Sequence, residues 1–426
     1  MNQATGALNS RQLWSTVIAV SLGWLFSAVD IILLILFQEE IAFDLSLEVQ
    51  AVRIAIGIGL LGSAFGGLFF AQFGDRWGRV RALAASIMIY SVATGLMALT
   101  QTKVQLYALR FLAGIGTGAE WSIGFALLSE VWSGRSRGRV GGLVAGMFNL
   151  GTFVAIALFQ STLGWRGAFG VMILPAFFAM ILRRWIPESN IWLQLQELRM
   201  RGELNEDLKR EIEMPPLKAA FTQDSKGTTW RLTLLFVLMN LGFYSFSTVF
   251  INYLKADPHL GGLGLDKAGQ LPFQLTLNIA SLLSVILAGS LSDYLGRRRA
   301  ALSFCILGFL GFVLLSLKMN GEVELLASAP LLIPFSLCCM GFGINGVMGV
   351  FAPELFPTHL RSTGPGVSQN LGKGLGGMLG PPLAGALVAS HGFPFVLGLP
   401  AWIFISLALL IYSFPEVGGR SLYDMG

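Results

Sequence analysis

The chain has 426 residues, 54% of them hydrophobic and only 12% charged, with a net charge of +5 and a mean hydropathy of +0.68. Soluble domains carry about 25% charged residues, so the apolar mass reads as lipid-facing spans, and the positive balance reads as sidedness, not nucleic-acid binding. Cys305, Cys338 and Cys339 all fall in apolar runs with no His at ligand spacing, which argues against a disulfide framework and a metal site.

A bilayer crossing takes about 20 apolar residues. Twelve such stretches are predicted, near 14–37, 50–73, 80–100, 104–131, 140–162, 167–183, 231–254, 270–292, 300–318, 328–352, 363–388 and 394–413. The first is long and lacks the small-residue cleavage pattern of a secretory signal. From Arg183 to Arg231 the chain turns polar and rich in both signs, a linker that is partly helical at most and ends near Pro215 and Pro216. The expected architecture is an all-α membrane protein with an N-terminal six-helix bundle over 1–183, a linker over 184–230 and a C-terminal six-helix bundle over 231–426.

Arginines set the orientation. Arg76, Arg79 and Arg81 follow span two, Arg135, Arg137 and Arg139 follow span four, and Arg297, Arg298 and Arg299 follow span eight. The loop after span one holds Glu39, Glu40, Asp44 and Glu48 instead. The arginine side and both termini are therefore expected in the cytoplasm, in a bacterial inner membrane.

Two clusters recur. "GDRWGRVR" around Asp75 and "SDYLGRRR" around Asp293 stand 218 positions apart, each after the second span of its half. Glu130 and Arg137, seven apart after span four, return as Glu354 and Arg361 after span ten, offset by 224. Two parallel six-helix repeats about an axis along the membrane normal are one of the architectures of secondary transporters. Asp75 and Asp293 stand at helix ends near a following helix N-terminus, where a carboxylate is favoured. Glu130 and Glu354 can accept the arginines of their own half. The expected cytoplasmic gate is Asp75, Arg76, Arg79, Glu130, Arg137, Asp293, Arg297, Arg298, Glu354 and Arg361, against the blander reading of arginines that only fix topology.

Ionisable residues inside spans are functional candidates by default. They are Asp30, Arg110, Glu120 and Lys373. At about 1.5 Å per residue, Asp30 lies roughly 24 Å from the inner start of span one and Arg110 roughly 9 Å from the outer start of span four. The two stand at similar heights and can pair if their helices adjoin. A buried carboxylate beside an Arg has the chemistry of a proton switch, or of a static packing pair. Lys373 falls near the midplane, too far from either end to reach water easily, and suits an anion. Gln369, Asn370, Tyr244, Asn240 and Asn345 are further candidates for substrate contact, and each could equally hold helices together.

The paired loop clusters resemble the motif of the major facilitator superfamily over essentially the whole chain, with Ala71 where the first copy usually has Gly and Gly289 keeping it. "RFLAGIGTGAEW", "GWRGAFGVMILPA", "IPESNIW" and "GVSQNLGKGLGGMLGPP" are similar to its sialate and monocarboxylate proton symporters. That resemblance implies proton coupling through Asp30, Arg110 and Glu120. It also implies that spans one, four, seven, ten and eleven line the cavity. The function implied is proton-coupled symport of a small organic anion by alternating access, with no cofactor, in a monomer. Alternatives of the same fold are a sugar or polyol porter and an exporter of drugs or metabolites; Lys373 speaks against the exporter. An enzyme is disfavoured, since His259, His359 and His391 all lie in loops and no catalytic constellation is visible. No Gly-x-x-x-x-Gly-Lys-Ser/Thr loop points to ATP as the energy source.

Overall fold

A computed structural model describes residues 10–132, 136–178, 186–202, 214–321 and 330–418. Among these, nine helices are long and apolar enough to cross a bilayer: Ser10–Leu36, Val49–Trp77, Arg79–Leu99, Lys103–Val131, Arg137–Gln160, Ser225–Lys255, Ala268–Leu295, Arg297–Asn320 and Leu332–Glu354. They coincide with spans one to five and seven to ten of the sequence reading. The sixth begins as the shorter apolar helix Gly164–Phe178; its expected end at 179–183, Arg135 and the linker stretch 203–213 lie outside the described residues.

Spans eleven and twelve form a near-continuous helical run, Thr363–Gly398 followed by Pro400–Tyr412. The run is broken at Gly392, whose φ of 79° and ψ of 172° are not helical. Packing shows the chain reversing there. Thr363 bonds to Asp75 and Asn370 to Gly118, so span eleven rises from the arginine-rich end. Gly398 packs near Ser316, Gly308 near Phe404, and Arg297 bonds to Glu416, so span twelve runs back antiparallel to span nine.

The motif glycines explain how two spans join in so few residues. Gly78 stands between spans two and three with φ 111°, and Gly296 between spans eight and nine with φ 90°. Only a residue without Cβ enters this region at low cost. Span four starts from a capping box in which the Thr102 hydroxyl accepts the Gln105 amide and the Gln105 side chain answers. Spans two and four pack at backbone distance through small residues. A Cβ on Gly62 or Gly66 would overlap the backbone of Phe111 or Ile115, and one on Gly114 or Gly118 that of Gly59 or Ser63. Such close approach takes the place of a hydrophobic driving force in lipid. In the linker, helices form over Asn190–Arg201 and Pro216–Ala219.

Candidate functional site

At the arginine-rich end, eight charged residues join the two halves. Arg79 bonds Asp75 at 2.9 Å and Glu130 at 3.0 Å. Arg297 bonds Asp293 at 2.7 Å and Glu354 at 3.0 Å. Both acids then take a second arginine from the opposite half, Arg361 on Glu130 at 3.2 Å and Arg137 on Glu354 at 2.6 Å. Arg79, Arg297 and Arg361 are fully buried, which is tolerable only because each guanidinium finds carboxylates or carbonyls. Arg79 also donates to the carbonyls of Gly74 and Thr358.

The aspartates do something the sequence reading placed wrongly. They do not cap the helix that follows them. Asp75 accepts the amides of Ser362 and Thr363 at 3.2 and 2.8 Å, capping span eleven of the other half. Asp293 accepts the amides of Gly138 and Arg139 at 2.8 and 2.7 Å, capping span five of the other half. Free amides and the helix dipole favour a carboxylate at that position. The helix beside the motif leaves no gap: Gly289 lies against Gly138 and Gly142, and its counterpart Ala71 meets Gly366, so the small residue has moved to the partner helix.

Two expected members stand outside. Arg76 is exposed and makes no ion pair among the described residues. Arg298 turns to the Phe414 carbonyl and the Tyr412 ring instead of a gate acid. Two acids were missed. Glu188 accepts the amides of Arg79 and Val80, and Glu416 those of Arg297 and Arg298, so each caps the helix the motif opens. Burial pushes the Glu188 carboxyl up, against the pull of those amides and of Arg79. Their signal was a Pro-Glu pair after the last span of each half, Pro187-Glu188 and Pro415-Glu416, 228 positions apart.

Deeper in the membrane, Asp30 and Arg110 form a bidentate pair, Nη1 to Oδ1 at 2.8 Å and Nη2 to Oδ2 at 2.9 Å. The Thr94 hydroxyl adds a third donor to Asp30 at 2.6 Å, a partner the sequence reading lacked. Glu120 takes no part. It is 1% exposed, and neither carboxylate oxygen has a hydrogen-bond partner among the described residues. Gly23 lets it lie against the first span, where any Cβ would strike its Oε1.

From the other half, Lys373 joins no ion pair among the described residues; the charges that act on it are Asp30 and Glu120. One turn below, Asn370 is buried and spent on packing: its amide donates to the carbonyls of Gly118 and Gly366 at 2.9 and 2.8 Å. Its oxygen lies 3.4 Å from the Ser63 hydroxyl. Gln369 keeps a buried amide oxygen without a partner. Asn240 donates back to Phe236 of its own helix, and Asn345, exposed amid buried neighbours, to Phe342. Tyr244 packs against Gly377 and Phe243. Trp121 meets Phe236 edge-on at 5.4 Å, an aromatic contact between the halves that was not foreseen. Among the described residues no group of three His, Cys, Asp or Glu could hold a metal ion.

Within the spans the arrangement supplies a carboxylate–guanidinium pair, and an acid and an amine that close no ion pair among the described residues, apart from the ionic seam. The family model described as Major Facilitator Superfamily matches residues 18–372. A putative metabolite transport protein of Haemophilus influenzae is 30% identical, covering 96% of this chain and 98% of that one. The sialic acid transporter NanX of Escherichia coli is 25% identical over 93% of each. The solved proton:xylose symporter XylE superposes with a TM-score of 0.76 at 18% identity, over 98% of this chain and 99% of that one, a likeness of fold.

Proposed function

The chain belongs to the major facilitator superfamily and is a membrane transporter, not an enzyme, and from that premise we propose that it carries a small organic anion together with protons. The arginine-rich end faces the cytoplasm, and the ionic seam there is the gate of an alternating-access cycle, closed in this structure. The halves 1–183 and 231–426 rock about it, tied by 184–230. The substrate carboxylate meets Lys373, with Gln369, Tyr244, Asn240 and Asn345 as neutral contacts, and the acids of the N-terminal half take the proton.

The observation that carries this reading is Lys373. A cation near the midplane is costly, and no carboxylate closes an ion pair with it among the described residues. A substrate anion supplies the missing partner. The sialic acid carried by the relative from Escherichia coli is itself a carboxylate.

A thermal-shift screen of purified carrier tests the class, because a ligand that binds only the folded state stabilises it by about 2.7 kcal/mol at a hundred times its Kd. Lactate, benzoate, sialic acid, succinate and glucose form the panel. At least one carboxylate is expected to raise the transition and glucose to leave it unmoved; the reverse supports a sugar porter. Uptake of that carboxylate into proteoliposomes should follow an imposed proton gradient.

A further inference from the structure

We infer that Glu120, not Asp30, holds the proton that travels with the anion, and that by staying neutral it leaves Lys373 free to bind that anion. The inference rests on the reading of Lys373 as the anion's ligand.

The partners of the two acids decide between them. Asp30 accepts three bonds, two from Arg110 and one from Thr94, and donates none. Three donors around two oxygens are the partner set of a carboxylate anion, and charge-assisted bidentate pairing is among the strongest hydrogen bonding available. Loading a proton onto Asp30 would require that whole set to come apart. Glu120 has no ion pair to break among the described residues. It is buried, neither oxygen holds a close hydrogen bond among the described residues, and its nearest donors are the Ser27 and Tyr90 hydroxyls, both neutral. An ionised carboxylate without partners in a dry interior is so unfavourable that the group neutralises.

The surroundings of Glu120 link its proton to the substrate. From the first span it faces Asp30 and Ser27, from the third Tyr90, and from the eleventh Lys373. The Tyr90 hydroxyl donates to the Gly23 carbonyl at 3.4 Å and also stands close to the acid. Asp30 is engaged by Arg110 on Glu120's own helix. Lys373 is thus the one cation facing Glu120 that holds no carboxylate among the described residues. With Glu120 neutral, the Lys373 ammonium has its field unspent, and an anion binds. With Glu120 ionised, that field is partly cancelled and the arriving anion meets a like charge. Proton and anion therefore bind with positive cooperativity, each favouring the other to the same degree. Asp30 and Arg110 act as a positioning pair that holds the first and fourth spans in register.

Anion affinity against pH, measured by titration calorimetry on the purified full-length carrier with the carboxylate that shifts the wild type in the panel above, tests this. The wild-type Kd should rise by about tenfold per pH unit once Glu120 ionises, the slope of one linked proton. Glu120→Gln should flatten it to less than twofold over the same range, and Asp30→Asn should keep the slope. A slope kept in Glu120→Gln and lost in Asp30→Asn overturns the inference and leaves the anion reading standing. Absence of carboxylate binding in the wild type overturns both. If Glu120→Gln does not fold, infrared difference spectra of the wild type between low and high pH serve instead. A protonated carboxyl band that moves in Glu120→Asp supports the inference, and no such band at the pH where the anion binds overturns it.

Discussion

The ionic seam and the mid-membrane charges are built on opposite plans. Every main contact of the seam occurs twice, with Arg79–Glu130 matched by Arg297–Glu354 and Arg361–Glu130 by Arg137–Glu354. Even the caps repeat, Asp75 on Ser362 and Thr363 against Asp293 on Gly138 and Arg139. The deeper charges occur once. At the offset of 224 that relates Glu130 to Glu354, Arg110 falls on Pro334, Glu120 on Ile344 and Lys373 back on Asn149. What repeats is what the two halves share, a seam of matched contacts between them. On the function proposed above, the unrepeated charges serve what is carried.

The seam also differs in how it is partnered. Its acids each hold two arginines or two amides and an arginine, so opening it costs several charge-assisted bonds at once. The deeper set is paired at Asp30 and left without an ion pair at Glu120 and Lys373 among the described residues. On the function proposed above, a partnered seam below these two open groups suits a carrier that takes its ligand from the far side.

The largest expected effect breaks the satisfied part of the deep set. Arg110→Ala strands a buried Asp30, and removing one partner of a buried pair costs about 3–5 kcal/mol. Folded yield and thermal midpoint should both collapse. A near-normal midpoint would place the pair in contact with water.

Next come the seam caps. Asp75→Asn and Asp293→Asn each weaken charged hydrogen bonds worth about 1.5–3 kcal/mol. Each should shift the closed–open equilibrium by roughly ten- to a hundredfold and by similar amounts. Labelling of a thiol placed at Ser129→Cys, buried at the arginine-rich end, measures the opening. A large effect from one aspartate and none from the other would break the symmetry argued above.

A smaller loss is expected at the motif glycine. Gly78→Ala forces a side chain into φ 111°, a cost of about 1–3 kcal/mol, and crowds Glu188 besides. Gly296→Ala should match it, since Glu416 stands there in the same place. The smallest effect belongs to Arg76→Ala. An exposed arginine with no ion pair among the described residues should change stability by no more than about 0.5 kcal/mol and leave transport rate alone.

Much of this was legible in the sequence because it rests on spacing. Runs of apolar length located the spans, and two matched offsets located the seam. Rise per residue set Asp30 and Arg110 at one height, and they do pair. Spacing is silent on which half supplies a partner, so the arginines of Arg137 and Arg361 crossing over, and the aspartates capping the far half, were not readable. Asn370 looked like a substrate contact because polar residues in lipid-facing runs are rare; its packing against Gly118 depends on a helix crossing that no local pattern encodes. Glu188 and Glu416 were readable as a third repeat, but each follows the last apolar run of its half, where an acid attracts no notice.

The division of labour between the two regions is the central claim, and anion affinity in two variants tests it most directly. Lys373→Ala removes the unpaired amine, and Arg297→Ala removes a seam arginine. Calorimetric titration with the stabilising carboxylate should show Lys373→Ala weakened roughly ten- to a hundredfold, a loss of about 1.4–2.7 kcal/mol, while Arg297→Ala stays within about threefold of the wild type. An unchanged affinity in Lys373→Ala, with binding lost in a well-folded Arg297→Ala, would contradict the account.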